Sequence, residues 1–308
     1  MGIPTSLLHP RHWPSWFAVG LLRVIALLPH PLIMGIGHAI GLLVYAFALR
    51  RRQIAEINLQ LCMPGLDAAQ RGTLLREHFI SIGKGMVEVS MAWWWPQERL
   101  ERLLRTEGLE HLPRADEKQG TIFLTAHFTS MELAGRYLAH HTSGHAMYRR
   151  NENPVIQALI ERHRGQFTQG IIERNDTRSM IRALKAGDLV WLAPDQNFGH
   201  KGKVFVDFMG VPAATHTATS RFARATGARV VPGVVLRERN GYRLLVEPAL
   251  EDFPSEDARH DAQRINDIFA NWVHRAPEQY NWIHRRFKTR PDGGPPPYPA
   301  RRPKRRRR

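Results

Sequence analysis

The feature that most constrains the fold is an alternation of short apolar runs and longer amphipathic segments from Gly120 onward. Four runs have the length and composition of strands, at residues 121–124, 189–193, 229–236 and 242–246. Helical periodicity is found at residues 131–140, 154–166, 179–186, 217–226 and 261–276. Such alternation is typical of an α/β fold with a largely parallel sheet flanked by helices. The dipeptide Asn240-Gly241 predicts one antiparallel hairpin within it.

The first 52 residues are predicted to be a membrane anchor. Residues 16–28 are apolar except for Arg23, and residues 32–49 are apolar except for His38. A spanning helix needs about 20 apolar residues, and neither stretch meets that length cleanly. One tilted span, a helical pair half-sunk in one leaflet and a buried soluble hairpin all fit the pattern. If the segment is a membrane element, the three arginines at residues 50–52 put the following residues on the cytoplasmic side.

The rest of the chain divides into a body and a tail. Residues 53–292 are predicted to form one domain that begins with helices at 53–61 and 67–91. Residues 293–308 are rich in proline and arginine and are predicted to be disordered.

In the anchor, Gly35, Gly37 and Gly41 either allow a close helix contact or reflect loose packing.

The charge of the chain limits its partners. The formal net charge is +16, and the chain without its last eight residues still carries +9. A basic body suits phosphate-rich lipid, an acidic carrier protein or nucleic acid, and a basic tail suits anionic lipid. The single cysteine, Cys62, excludes an intramolecular disulfide and a multi-cysteine metal site, and we expect it to be a packing residue.

A histidine and an acid five residues apart are the strongest chemical signal. His127 follows the predicted strand at 121–124, and Glu132 lies in the first turn of the next predicted helix. A carboxylate in that position could hold one imidazole nitrogen and leave the other free as a general base. The alternative is a capped helix, with Thr129 or Ser130 as N-cap and Glu132 in its first turn.

Further candidates lie downstream. Asp195 also follows a predicted buried strand, so that it could face the same cleft as His127, although an Asp in a turn after proline is common. Arg164 or Arg162 could bind a phosphate, with a solvated basic face as the alternative. Residues 278–288 are dense in aromatic and basic side chains and could seat an anionic head group or pack as a terminal segment. Serine-hydrolase, nucleotide-binding and zinc-helix motifs are missing from the sequence.

Several of these segments together resemble the late acyltransferases of lipid A biosynthesis, the family that acts on Kdo2-lipid IVA. The resemblance covers roughly residues 13–298. Its pieces are residues 51–62, 127–132, 148–154, 183–187, 193–195 and, most specifically, 276–291. The family's His-x4-Asp/Glu motif maps onto His127 and Glu132, and its further functional Arg and Asp map onto Arg164 and Asp195, with Arg162 as the rival if the register slips.

The resemblance implies a glycerophosphate-acyltransferase-like α/β fold and an O-acyltransferase that depends on acyl carrier protein. It further implies an anchor at the cytoplasmic face of the bacterial inner membrane. His127 would act as general base with Glu132 fixing its tautomer, Arg164 and Asp195 would bind substrate or support the site, and a backbone N–H of residues 128–130 would receive the oxyanion.

We expect the donor chain, lauroyl by default, to lie in a slot lined by residues 87–95 and the sheet edge. The expected partners are acyl carrier protein, the lipid A precursor and anionic lipid, with no cofactor, metal or nucleic acid and a monomeric chain. The alternatives are a glycerophospholipid or mannoside acyltransferase and, outside the enzymes, a basic membrane tether.

Overall fold

A mixed α/β architecture is present in the computed structural model, which describes residues 4–114, 116–197 and 202–300. The helices are α1 (Trp13–Ile25), α2 (His30–Phe47), α3 (Leu49–Cys62), α4 (Ala68–Trp94), α5 (Gln97–Glu101), α6 (Met131–His141), α7 (Pro154–Phe167), α8 (Thr177–Lys185), α9 (Ala218–Thr226) and α10 (Ala258–Arg275). The strands are β1 (Leu104–Glu107), β2 (Thr121–Leu124), β3 (Gly144–Tyr148), β4 (Gly170–Glu173), β5 (Leu189–Leu192), β6 (Lys203–Phe208), β7 (Val211–His216), β8 (Arg229–Glu238) and β9 (Gly241–Val246).

The central sheet has seven strands in the order β1-β9-β8-β2-β5-β3-β4. Every neighbouring pair is parallel except β8 and β9, which form the antiparallel hairpin that Asn240-Gly241 predicted. Strands β6 and β7 form a separate antiparallel pair. The predicted fold class, a largely parallel sheet flanked by helices, is therefore confirmed.

The sheet is buried on both faces because its strands carry apolar side chains in both directions. On β2, Ile122 and Leu124 point into a core that also receives residues of α8, α9 and α10. Phe123 points to the opposite core, which also receives residues of α6 and α7. Helix α4 contributes to both cores, so it joins the two layers.

The amino-terminal helices pack on this body. Gly37 and Gly41 of α2 lie directly against α4, and a Cβ on Gly83 of α4 would overlap the backbone of both. These two glycines therefore serve a close helix contact. A Cβ on Gly35 would meet no other group within 4 Å, so Gly35 takes no part in that contact.

The outer face of α1 and α2 is apolar and exposed. It presents Trp13, Phe17, Leu21, Val24, Leu32, Leu43 and Phe47, and Leu27 in the turn between the two helices is exposed as well. Within the described residues, His30–Phe47 is the one helix long and apolar enough to cross a bilayer, by length and composition. Its 18 residues correspond to about 27 Å of helix, close to the thickness of a hydrocarbon core.

The carboxyl end returns to the amino-terminal helices. The Tyr298 hydroxyl donates to Asn58 Oδ1 (2.6 Å) and accepts from the Phe287 N–H (2.9 Å). The guanidinium groups of Arg50 and Arg51 donate to the carbonyls of Ala300 and Ile283. The predicted disordered tail at residues 293–308 thus begins with a packed segment, and its arginine run at 301–308 lies outside the described residues.

Candidate active site

A cavity of about 1060 Å³ opens at the carboxyl ends of β2, β5, β3 and β4. These strands are neighbours and parallel, so the loops that follow them meet at one edge of the sheet, where ligands gather in open α/β sheets. His127 follows β2 and Asp195 follows β5. The expectation that both lie at one edge agrees with the sheet order.

His127 and Asp195 form a hydrogen-bonded pair. The ring nitrogen Nδ1 of His127 lies 2.5 Å from Asp195 Oδ1, and the His127 backbone N–H donates to Asp195 Oδ2 at 3.1 Å. The Asp195 side chain is 1% exposed, whereas the His127 side chain is 26% exposed and lines the cavity. Since Nδ1 faces the buried carboxylate, the opposite ring edge with Nε2 faces the cavity.

Glu132 has other partners. It accepts hydrogen bonds from both Nε and Nη2 of Arg164, at 3.3 and 2.5 Å, and from the Trp93 indole N–H at 3.0 Å. The expected contact between Glu132 and the imidazole is therefore wrong: the carboxylate beside the His127 ring belongs to Asp195, and Glu132 pairs with Arg164. The reason is geometric: Glu132 in the first turn of α6 faces α7, while the loop after β5 delivers Asp195 directly beneath the ring.

The two carboxylates are both held ionised. Burial alone would raise the pKa of the Asp195 carboxyl, but the charge and hydrogen bonds of His127 outweigh it and hold that pKa below its ordinary value. Burial likewise opposes ionisation of Glu132, and the Arg164 charge with the bonds from Arg164 and Trp93 holds its pKa below the ordinary value. The two carboxylates thus have different partners, Asp195 with His127 and Glu132 with Arg164.

Arg164 and Arg162 differ in position. Arg164 lines the cavity and is partly buried on Glu132, whereas Arg162 is exposed. Of the two arginines that the sequence offered for this role, only Arg164 lines the cavity.

The backbone amides of the turn have specific partners. The Phe128 N–H donates to the Ala126 carbonyl and the Thr129 N–H donates to the Gln279 carbonyl, at 3.0 and 2.8 Å. Of the three amides expected to receive an oxyanion, these two are engaged. Only Ser130, the N-cap residue of α6, remains as a donor from that set.

A buried ionic network supports the turn from behind. Arg237 Nε donates to Glu88 Oε1 at 2.5 Å, and its Nη1 donates to Ser81 Oγ at 2.8 Å. Ser81 Oγ lies 2.7 Å from the Thr129 hydroxyl. A Cβ on Gly85 would overlap the Thr129 carbonyl oxygen, so α4 passes as close to the turn as its backbone permits.

The apolar wall of the cavity comes from several elements. The Trp93 ring stacks on His163 with a centroid distance of 4.8 Å, and both line the cavity. Trp191 lines it opposite Gly135, where a Cβ would lie 2.7 Å from the indole ring. Of the predicted slot at residues 87–95, Ala92 and Trp93 line the cavity, whereas Val87 and Met91 are buried in the core.

The mouth of the cavity is strongly basic. Nine arginine and lysine residues line it: Arg50, Arg51, Arg136, Arg149, Arg164, Arg174, Arg221, Arg285 and Lys288. Among the described lining residues, Glu132 is the one acid. Such a surface attracts phosphate and carboxylate groups.

Residues 278–288 serve the cavity and the core at once. Tyr280, Trp282 and Phe287 are buried, while His284, Arg285 and Lys288 line the cavity. Burial lowers the pKa of His284 to about 4. The composition of residues 278–288 pointed to this segment in the sequence. The contact between Tyr280 and Asp195 could not be predicted, because it joins parts of the chain 85 positions apart.

Cys62 is buried, and burial raises the pKa of its thiol to about 12, in agreement with a packing role.

Known proteins that are similar to this chain belong to lipid A biosynthesis. A family model described as bacterial lipid A biosynthesis acyltransferase matches residues 1–289. The chain is 39% identical to the lipid A biosynthesis lauroyltransferase of Escherichia coli over 298 residues, which cover 96% of this chain and 97% of the relative. It is 39% identical to the palmitoleoyltransferase (94% and 95% covered) and 30% identical to the myristoyltransferase (95% and 92% covered) of the same organism.

Among solved structures, the fold is similar to the 1-acyl-sn-glycerophosphate acyltransferase PlsC from Thermotoga maritima. That match has a TM-score of 0.37 and 13% identity, and it covers 74% of this chain and 97% of the other.

Proposed function

Because the chain belongs to the bacterial lipid A biosynthesis acyltransferases, we propose that it transfers a fatty acyl group, lauroyl by default, from acyl carrier protein to Kdo2-lipid IVA. The acceptor is the hydroxyl of an acyl chain already on that precursor. The observation that carries the proposal is the His127–Asp195 pair, whose free ring edge opens into a cavity that is both basic and apolar.

His127 is the general base. A secondary alcohol is almost never ionised near neutral pH, so Nε2 takes its proton as the oxygen attacks the carbonyl carbon of the donor thioester. The C–S bond then breaks, and the imidazolium returns the proton to the departing thiolate. Asp195 holds the ring with the proton on Nδ1 and stabilises the imidazolium, because its buried carboxylate is already ionised.

Glu132 and Arg164 play a second role in this scheme. Their ion pair, closed by the Trp93 indole, fixes the guanidinium at the cavity wall. A fixed guanidinium can bind a phosphate or ester oxygen of the substrates at little entropic cost. We therefore assign Glu132 and Arg164 to substrate binding and site support. Proton transfer is assigned to His127 alone.

The basic mouth suits both substrates. The lipid A precursor presents phosphate and carboxylate groups, and acyl carrier protein is acidic, so both are attracted to the lining arginines. The apolar wall around Trp93 and Trp191 offers a surface for the acyl chain.

We further propose that the exposed apolar face of α1 and α2 contacts the cytoplasmic leaflet of the inner membrane. The middle of α2 packs on α4 through Gly37 and Gly41, which leaves only its outer face for lipid. Anionic lipid would interact with the arginines at residues 50–52 and with the tail at 301–308.

The test supplies the purified protein with lauroyl-acyl carrier protein and either Kdo2-lipid IVA or a lysophospholipid, with His127→Ala as control. We expect mass spectrometry to show one added lauroyl group on Kdo2-lipid IVA with the wild type and none with the variant. Acylation of the lysophospholipid instead would identify a glycerophospholipid acyltransferase. If lipid A in cells depends on residues 301–308 but not on His127, the chain is a tether.

A further inference from the structure

Residues 279–281 run beside the turn that carries His127. The Asn281 N–H donates to the His127 carbonyl at 2.9 Å, and the Thr129 N–H donates to the Gln279 carbonyl at 2.8 Å. Between them, Phe128 and Tyr280 form an antiparallel bridge. The turn lies beyond the end of β2, so these bonds replace the sheet contacts that it lacks.

Gln279 ties this short segment to the sheet. Its side-chain Oε1 accepts from the Arg237 backbone N–H at 2.8 Å, and its Nε2 donates to the Arg237 carbonyl at 2.9 Å. One buried residue, 3% exposed, therefore binds the edge of β8 with its side chain and the His127 turn with its main chain.

Tyr280 adds a contact to the pair itself. Its hydroxyl lies beside the Asp195 carboxylate, and its ring packs edge-on against Phe128 and Trp282, with centroid distances of 5.8 and 5.0 Å. Both members of the His127–Asp195 pair are thus touched by residues 279–281.

We propose that Gln279 is a positioning residue, which fixes the His127–Asp195 pair by tying residues 279–281, and through them the turn, to strand β8. This inference rests on the proposed function for its kinetic consequence. A base displaced by about 1 Å can lose about 100-fold in rate although substrate binding is intact, because proton transfer requires close alignment.

The chain offers a matched control for the test. Gln263 on α10 makes the same two bonds to a peptide unit: Oε1 accepts from the Asp207 N–H at 2.8 Å and Nε2 donates to the Asp207 carbonyl at 3.3 Å. Gln263 thus binds β6 and has no part in the His127 turn. Gln279→Met and Gln263→Met therefore remove equivalent side-chain bonds at the site and away from it.

Two readouts are compared in the full-length protein. The first is the far-downfield proton resonance of the Nδ1–H of His127 in its short bond to Asp195, recorded on histidine-labelled protein without substrate. The second is the kinetics of lauroyl transfer. For Gln279→Met we expect the resonance to shift or broaden and kcat to fall about 10- to 100-fold at unchanged KM. Gln263→Met should retain both.

The proposal is overturned if Gln279→Met matches Gln263→Met in both readouts. If Gln279→Met does not fold, Gln279→Glu replaces it, because its carboxylate can still accept from the Arg237 N–H but cannot donate to the Arg237 carbonyl. Its resonance must then move relative to wild type, and an unmoved resonance overturns the proposal. If the wild type transfers no acyl group to Kdo2-lipid IVA, the proposed function fails. The His127 Nδ1–H resonance of Gln279→Met, compared with that of the wild type and of Gln263→Met, then tests the positioning role by itself.

Discussion

Replacing Asp195 by asparagine should prevent His127 from acting as the proposed general base, while the cavity stays in place. Asp195 accepts twice from His127: Oδ2 from the backbone N–H and Oδ1 from the ring at Nδ1. An asparagine has one oxygen and one NH2. The orientation that satisfies the backbone N–H turns the NH2 towards Nδ1, which must then accept. The ring proton moves to Nε2, and the nitrogen that faces the cavity can no longer take a proton.

The expected loss follows from this change of tautomer. General-base assistance is worth about 10²–10⁴-fold, which corresponds to about 3–5 kcal/mol of activation free energy. We expect kcat of Asp195→Asn to fall within that range and KM to stay within about threefold of wild type, since the residue is buried and does not line the cavity. Initial rates of lauroyl transfer at saturating substrates measure both parameters.

Glu132→Gln provides the contrast. This change removes the charge that holds Arg164 but leaves the His127–Asp195 bond intact, so we expect KM to rise together with the fall in kcat. A kcat of Asp195→Asn within threefold of the wild type would refute the assignment of Asp195 as the partner of the base. A pure kcat effect in Glu132→Gln would return that role to Glu132.

Three further predictions concern other parts of the molecule. Burial lowers the pKa of His78 from 6.5 to about 4. The unfolded state therefore takes up a proton first as pH falls from 6.5 to about 4, and the free energy of unfolding should drop by up to about 3 kcal/mol over that interval. Urea titrations should show a flatter pH dependence of this free energy for His78→Leu. Gly85→Ala should force Thr129 away from α4 and lower kcat without changing the circular dichroism spectrum, and an unaltered kcat would contradict the close contact. Added salt should raise KM for the acyl-carrier donor by screening the basic mouth, and a constant KM would exclude that attraction.

The strands that the sequence predicted are the ones with strong apolar runs. Strand β2 was located at the residues that form it, and β5, β8 and β9 within two residues at each end. The missed strands β1, β3 and β4 are short and contain polar residues or glycine, as in Leu104–Glu107, so that their pairing depends on neighbours rather than on local pattern. The hairpin of β6 and β7 was missed as well, although Met209 and Gly210 turn the chain between them.

The site shows the same limit. The spacing of His127 and Glu132, the strand before Asp195 and the resemblance to the family selected four residues. Three of them, His127, Glu132 and Arg164, line one cavity, and Asp195 lies behind His127. The sequence could not assign their partners, because Asp195 reaches His127 through the order of β2 and β5 in the sheet, and strand order is not encoded in local periodicity.

The bond between the Asn281 N–H and the His127 carbonyl has a consequence for synthesis. A chain emerging from the ribosome exposes His127 long before residues 279–281 are made, and Tyr298, which fastens to Asn58, comes later still. The nascent enzyme thus assembles its scaffold first, and the bonds that hold the His127 turn form only after residues 279–281 have been made. A product that ends before residue 279 would therefore contain His127 and lack the bonds that hold its turn in place.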